Sequence, residues 1–486
     1  MNESAATSKQ GLNILLIRAM QGNCESLHEP DPSLMNKGWR WWILIVLIGV
    51  FSLGFRYYYL THAQVMQPFD DQAHARADGV QYYAYARNLV RHGVFSLAPE
   101  GTMPLAGDSY RDPGYPVFLA VWMKIFPQWD QWYPAVLLSQ GILASLSAVF
   151  ALCLSRRWMP FWWLAAAGII MAIWPHSVSI GSFIMSESLS GFLCLLGLLL
   201  LSKALDRQSI SWATASGIGF ALGALTNAVL LPFAPLLGLY FAYRRYISLG
   251  MLAGLMAGAI ILPAAWMTRN ALLPPSPNSS ATRALGNLVI GSWPHFYKDL
   301  QASLKDDPQG IAAIKLVSDE IDLISSSPKA GFAHLAKRMS ADPMEYAQWY
   351  FISKPVLLWD WGIRIGAGDI YIYPTRNSPF KDNAIYRTII ATCHTINYPI
   401  FILMILGGLV AILARHRITP SLTAAVLLLI CVSATYIILQ AEPRYSIAYR
   451  PLEILLAIFA IYRANEWIAS RNKKSPIIKD KISIPR

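Results

Sequence analysis

The sequence predicts an all-α polytopic membrane protein with about ten transmembrane helices and two large, partly helical loops on one face. Three observations lead there. The 486 residues are 55% hydrophobic and only 14% charged, with a mean hydropathy of +0.38, a composition of multi-pass membrane chains and not of soluble enzymes. Apolar runs of spanning length recur along the chain. Basic residues cluster on every second connection between them, as expected when Lys and Arg are retained on the cytoplasmic side.

The runs are 41–60, 133–155, 161–176, 183–202, 246–268, 397–414, 418–440 and 446–462. The stretch 208–243 carries no charge over 36 residues, too long for one pass, and reads as two helices meeting near Thr226-Asn227. The basic connections are an arm with Lys9, Arg18, Lys37 and Arg40, then Arg156-Arg157, Lys203 with Arg207, Arg244-Arg245, Arg415 with Arg417, and a tail from 463 onward. These cytoplasmic segments hold 19 basic and 7 acidic residues, which accounts for the whole net charge of +12. The basic balance therefore reports topology. A nucleic-acid partner, which would need a basic surface on a soluble domain, is not expected.

The organisation follows. Residues 1–40 form a cytoplasmic arm; 41–268 hold spans one to seven, with an outer loop at 61–132; 269–388 form a large outer loop or small subdomain; 389–463 hold spans eight to ten; and 464–486 are a basic cytoplasmic tail. The large loop has helical patches at 309–327 and 328–339. A short outer turn lies at 441–445. The five cysteines show no disulfide or zinc framework. Walker, Rossmann, HExxH and nucleophile-elbow patterns are all missing from the sequence.

Polar residues gather beside the membrane on the outer segments. Asp78 opens an amphipathic stretch in which Tyr82, Ala86 and Leu89 share its face at helical spacing. Two readings of this acid stand side by side: a site carboxylate, or an N-cap suited to the positive end of the helix dipole. Arg111, followed by Tyr115, Arg269-Asn270 and Arg444-Tyr445 bring three arginines to one face from three segments. A guanidinium fork matches two phosphate oxygens, whereas a basic residue flanking a span can also snorkel to head groups. Arg56, at the outer end of span one, is expected to be of that second kind and to tolerate lysine. Glu187, near the outer end of span four, is either a partner for an outer arginine or a substrate contact, because acids inside spans are costly unless paired. Glu453 reads first as a buried partner of Arg450. Asp70-Asp71 with Asp78 could ligate a divalent cation, against the plainer reading of a solvated acidic cluster. No cofactor is otherwise required.

The ordered matches are Asp78-x3-Tyr82-x3-Ala86-Arg87-x-Leu89-x3-Gly93, Arg111-Asp-Pro113-Gly-Tyr115-Pro116, Met185-Ser-Glu187, Gly223-Ala-Leu-Thr226, Trp266-x2-Arg269-Asn270 with Gly286-Asn287-Leu288, and Glu442-x-Arg444-Tyr445. In this order, and on a common membrane side, they resemble the GT-C integral-membrane glycosyltransferases, in particular the family-39-like branch of protein O-mannosyltransferases and aminoarabinose transferases, over about residues 40–463. The resemblance implies a GT-C-like fold. It also implies an inverting transfer from a polyprenyl-phosphate-linked sugar to a lipid, glycan or protein acceptor at the periplasmic or lumenal face. Asp78 would be the general base, with Tyr82, Arg111, Tyr115, Glu187, Arg269, Asn270, Arg444 and Tyr445 contacting substrate. Two departures stand out: Gly79 occupies a place where many members have a second acid, and Arg111-Asp112-Pro113 replaces the more usual basic-Pro-Pro. The short extra-membrane parts favour a bacterial inner membrane with the site facing the periplasm. A lipid-linked polysaccharide polymerase or ligase, and a non-enzymatic lipid or glycan transporter, are the alternative readings. A transporter would place its polar groups near the membrane midplane, whereas here they gather at one face.

Overall fold

A computed structural model describes residues 38–67, 77–274, 276, 279–413 and 419–474. Asp70 and Asp71 lie outside the described residues, as do most of the arm expected to be cytoplasmic, Arg415 with Arg417, and the end of the tail. The fold is helical, with two two-residue strands as its sheet among the described residues.

Helix α1 (Trp39–His62) is the first span and runs into β1 (Gln64–Val65). The segment between the first two spans then supplies α2 (Asp78–His92) and α3 (Gly114–Ile125). Span α4 (Trp129–Ser155) follows, then α5 (Phe161–Ile173), which breaks at Trp174 before the short α6 (Pro175–Ser179). Pro175 cannot donate to the ladder, and α5 bends by 51° into the turns that follow it. Span α7 (Glu187–Arg207) leads to the pair α8 (Ile210–Thr226) and α9 (Phe233–Tyr243), which part at Asn227, where the uncharged stretch was read as two helices. The Asn227 side chain accepts from the Val229 amide and so starts the next turn. Span α10 (Leu249–Ala271) packs on α8 so closely that a Cβ at Gly217 would strike the Leu255 carbonyl and one at Gly258 the Thr214 carbonyl. Lipid tails are as apolar as leucine, so close backbone approach of this kind is what holds membrane helices together.

Helices α11 (Ser280–Gly291), α12 (Phe296–Ser303), α13 (Pro308–Ser326) and α14 (Pro328–Ala341) surround a second, separate core of Val289, Phe296, Val317 and Ile324. The start of α13 is set by Asp307, whose carboxylate accepts from the Gln309 amide, with Pro308 at the first helical position. Glu320 ties this unit together by accepting from Trp293 Nε1 at 2.8 Å and Arg338 Nη2 at 2.8 Å. Helix α15 (Pro343–Gln348), a π-helical turn at Trp349–Ser353 and α16 (Lys354–Leu358) lead back to the membrane part. Lys354 is fully buried there, and its ammonium donates to the carbonyls of Gly291 at 2.9 Å and Leu439 at 2.7 Å, pinning this helical unit to the end of a span.

The rest of the large loop joins the main core through Trp359, Trp361, Ile363 and the run 370–373. Strand β2 (Thr375–Arg376) pairs antiparallel with β1, Gln64 opposite Arg376, which lays residues 370–376 beside the start of α2. After α17 (Pro379–Asp382) come α18 (Ala384–Leu413) and α19 (Pro420–Ile438), then α20 (Pro443–Ser446) and α21 (Arg450–Lys474). Arg450 and Glu453 form a fully buried pair at 2.9 Å. Arg450 also donates to Asn397 and to the Asp360 carbonyl. Removing one member of such a pair costs about 3–5 kcal/mol because the other is left charged and buried.

Seven helices among the described residues are long and apolar enough to cross a membrane, or eight if the bent pair is one span. The shorter apolar α8 and the segment 228–243 supply the remaining two runs of the expected ten.

Candidate active site

Helix α2 begins at Asp78, and its N-cap is Ala77, in extended backbone, with no side-chain cap. The capping reading of Asp78 is thereby corrected: both of its carboxylate oxygens are occupied by guanidinium groups. Oδ1 accepts from Arg111 Nη2, and Oδ2 from Arg444 Nη2 at 2.5 Å. These arginines stand 33 and 366 residues away in the chain. Asp78, Arg111 and Arg444 keep only 19%, 11% and 14% of their side-chain surface exposed, so the contacts are shielded from bulk water. Burial by itself would raise the Asp78 carboxyl, but Arg111 and Arg444 outweigh it and hold the acid well below the usual carboxylate range.

Each arginine is held by further groups. Arg111 donates from Nε to Gln81 Oε1 at 2.6 Å, one turn along α2 from Asp78, and its guanidinium lies 5.2 Å from the Tyr82 ring centre. Arg444 Nε lies 3.3 Å from Glu187 Oε1, so one arginine bridges two acids. Its backbone amide donates to Glu442 Oε2 at 2.6 Å, which starts α20. The other Glu442 oxygen accepts from the Arg364 amide at 2.8 Å. Tyr445 lies beneath the Arg444 guanidinium at 5.3 Å and stacks on Tyr436 at 4.9 Å. Tyr82 meets Tyr115 edge to face at 4.9 Å, and the buried Tyr115 hydroxyl donates to Gln140 at 2.6 Å.

The fold thus brings together Asp78, Tyr82, Arg111, Tyr115, Glu187, Arg444 and Tyr445. It does not bring Arg269 and Asn270 into that group. Arg269 donates to the Asp108 carbonyl at 2.6 Å, the Phe95 carbonyl at 3.3 Å and Asn270 Oδ1 at 3.0 Å, with Trp266 stacked at 4.8 Å, and so fastens the loop between α2 and α3. Arg56 departs from its expected place among lipid head groups. It is 2% exposed and donates to Ser52 Oγ at 2.6 Å and the Ala172 carbonyl at 2.8 Å, inside the helix bundle. Among the described residues, no group of three or more His, Cys, Asp or Glu is placed to hold a metal ion.

Sequence reasoning missed Gln81, Tyr373 and Gln67. Gln81 was findable, because it follows Asp78 by three positions on a helix. Tyr373 and Gln67 were not, since the β1–β2 pairing sets their two segments side by side and the Ile184 amide donates to Gln67 Oε1 at 3.1 Å. A Cβ on Gly79 would strike the Gln67 amide and lie 3.2 Å from the Tyr373 hydroxyl. The glycine in place of a second acid is therefore matched to a filled space.

No family model matches the chain. No curated protein matches it. Among solved structures, it is similar to the oligosaccharyltransferase AglB of Archaeoglobus fulgidus in complex with an inhibitory peptide and a dolichol-phosphate: 12% identity, TM-score 0.46, covering 92% of this chain and 53% of that one. The apo form of the Archaeoglobus fulgidus oligosaccharyltransferase gives 14% identity and a TM-score of 0.47 over 90% and 52%. ArnT of Cupriavidus metallidurans bound to undecaprenyl phosphate gives 14% identity and a TM-score of 0.33 over 89% and 80%. The chain spans about half the length of the oligosaccharyltransferases it resembles.

Proposed function

We propose that this chain is a membrane glycosyltransferase that moves a sugar from a polyprenyl-phosphate donor to an acceptor at the face opposite the basic connections. The observation that carries the reading is one carboxylate held between two shielded arginines, at the outer ends of spans in a chain with no nucleotide-binding motif. In the reaction, an acceptor hydroxyl oxygen bonds to the anomeric carbon from the side opposite the departing phosphate. The bond from that carbon to the lipid phosphate breaks, with inversion, and the hydroxyl proton passes to Asp78. Negative charge grows on the departing phosphate, and Arg111 and Arg444 would receive it in a poorly hydrated setting. Tyr445, part-exposed beside Arg444, would offer a sugar ring an aromatic face, fully buried Tyr115 backs Tyr82, and Glu187 holds Arg444 from behind. A bacterial inner-membrane location with the site toward the periplasm is part of the same proposal.

The test is transfer from a radiolabelled polyprenyl-phosphate sugar by protein reconstituted in vesicles. Wild type should release labelled acceptor and unlabelled lipid phosphate in equal amounts. Translocation of intact lipid without cleavage would instead support a transporter, and lengthening of a lipid-linked glycan a polymerase.

A further inference from the structure

Helix α11 touches both of the segments that carry the site arginines. At its start, Ser279 makes a parallel β-bridge with Ser109, and Arg283 Nη2 donates to Asp112 Oδ1 at 2.8 Å. At its end, Gly291 lies so tightly on the chain ahead of Arg444 that a Cβ there would strike the Leu439 carbonyl and come within 3.0 Å of Gln440 Cα. Lys354 stitches that end, since its ammonium bonds the Gly291 and Leu439 carbonyls together. The helix between has 12 residues, a length of about 18 Å, and belongs to the unit with its own core.

Arg283 stands where helix physics disfavours it. A cation in the first turn meets the positive end of the dipole, and Arg283 lies in the first turn of α11. Asp112 answers that charge, with the two side chains only 17% and 19% exposed. Asp112 is also where the sequence departs from the basic-Pro-Pro pattern, and the residue after it, Pro113, has no amide hydrogen to bond. The Asp112 carboxylate therefore anchors the far side of Arg111. Asp108 anchors the near side, accepting from the Tyr110 amide at 3.1 Å and the Leu97 amide at 2.7 Å. Between these anchors the Tyr110 ring centre lies 5.5 Å from the Arg111 guanidinium and 6.0 Å from that of Arg283.

We infer that α11 is a strut that sets how far apart Arg111 and Arg444 stand, with Arg283, acting through Asp112, as the positioning residue at its Arg111 end. Two guanidiniums repel each other, and here they share the Asp78 carboxylate. A phosphate that takes the place of Asp78 meets both forks only while their spacing is kept. The strut keeps it, because one end is tied beside Arg111 and the other lies a few residues before Arg444. This role rests on the two arginines being the donor-phosphate site, as proposed above.

Calorimetric titration of a short-chain polyprenyl phosphate into the full chain in lipid nanodiscs reads the spacing as affinity. Arg283→Gln and Asp112→Asn should each weaken binding about fivefold, less than loss of a fork, because a partly exposed ion pair is a modest anchor. Together they should do no more than either alone, since both break one contact. Arg283→Lys, which keeps the charge, should bind within about twofold of wild type. The decisive arm is Arg111→Lys protein, in which adding Arg283→Gln should cost less than about twofold more. A merely structural role would lower the thermal midpoint and weaken binding equally in both backgrounds, and that result overturns the strut. Unchanged binding in folded Arg283→Gln or Asp112→Asn, with Arg111→Lys weakened, overturns it and leaves the phosphate site standing. Asp112→Asn reports on the same contact should Arg283→Gln fail to fold. Full binding in both Arg111→Lys and Arg444→Lys removes the phosphate site, and the strut with it.

Discussion

Replacing Asp78 by asparagine should separate the two roles that its surroundings imply, because catalysis and lipid-phosphate binding should move in opposite directions. In the structure each Asp78 oxygen occupies one arginine, and those are the arginines proposed to take the donor phosphate. Donor phosphate and Asp78 therefore compete for the same guanidinium donors. An amide keeps the shape and one acceptor oxygen but loses the charge, so at least one charge-assisted hydrogen bond, worth ~1.5–3 kcal/mol, no longer opposes the phosphate. Partial exposure of all three side chains argues for the lower end. About 1.4 kcal/mol is tenfold in affinity, so Asp78→Asn should bind a short-chain polyprenyl phosphate about tenfold more tightly.

Transfer should fall in the same variant by at least about a hundredfold, the lower range for loss of a general base. The assay pairs calorimetric titration of polyprenyl phosphate into nanodisc-embedded protein with radiolabelled transfer. Tighter binding with lost transfer is the expected result. Unchanged or weaker phosphate binding refutes the competition, and near-normal transfer refutes the base. The depressed carboxyl of Asp78 adds a constraint: a base must accept a proton, and this one is held ionised while both arginines are on it. Removal of an arginine by phosphate is what would raise its proton affinity.

Arg111→Lys and Arg444→Lys keep the charge but lose the fork, and each should raise the KM for the lipid donor about tenfold, roughly one charge-assisted hydrogen bond. Arg269→Lys should leave donor KM near wild type and lower the thermal midpoint, since Arg269 bonds loop carbonyls at 2.6 and 3.3 Å and does not face Asp78; a tenfold KM effect there would put it back in the phosphate site. Arg91, half exposed, replaces Arg56 as the neutral control for lysine substitution. Burial lowers the Lys354 ammonium to about 7, against about 10.4 in an unfolded chain. Between those values the unfolded chain binds more protons, so Lys354 makes stability rise as pH rises from about 7 toward 10. Thermal midpoints of wild type relative to Lys354→Met, measured across that range, should show the rise, and parallel curves would count against it.

The parts of the molecule that the sequence discloses are those governed by one-dimensional physics. Hydrocarbon thickness dictates run length, so the spans could be placed, including the break at Asn227 within an uncharged stretch. Arginines beside span ends could be found for a related reason, since charge there needs an explanation of some kind. Which explanation applies is decided in three dimensions. Arg56 and Arg444 both read as arginines near the outer ends of spans, yet one donates to Ser52 and backbone carbonyls in the bundle and the other grips two acids. Arg269 looked equivalent to Arg444 until the loop between α2 and α3 folded back and offered it the Phe95 and Asp108 carbonyls. Snorkelling and phosphate binding do not exhaust what such arginines do: the fold shows a third role, in which guanidinium groups satisfy buried backbone oxygens. An arginine beside a span end in a chain of this kind is therefore best read by its acceptors: carbonyl oxygens mark a brace, and a carboxylate shared with a second arginine is the feature on which the proposed phosphate site rests.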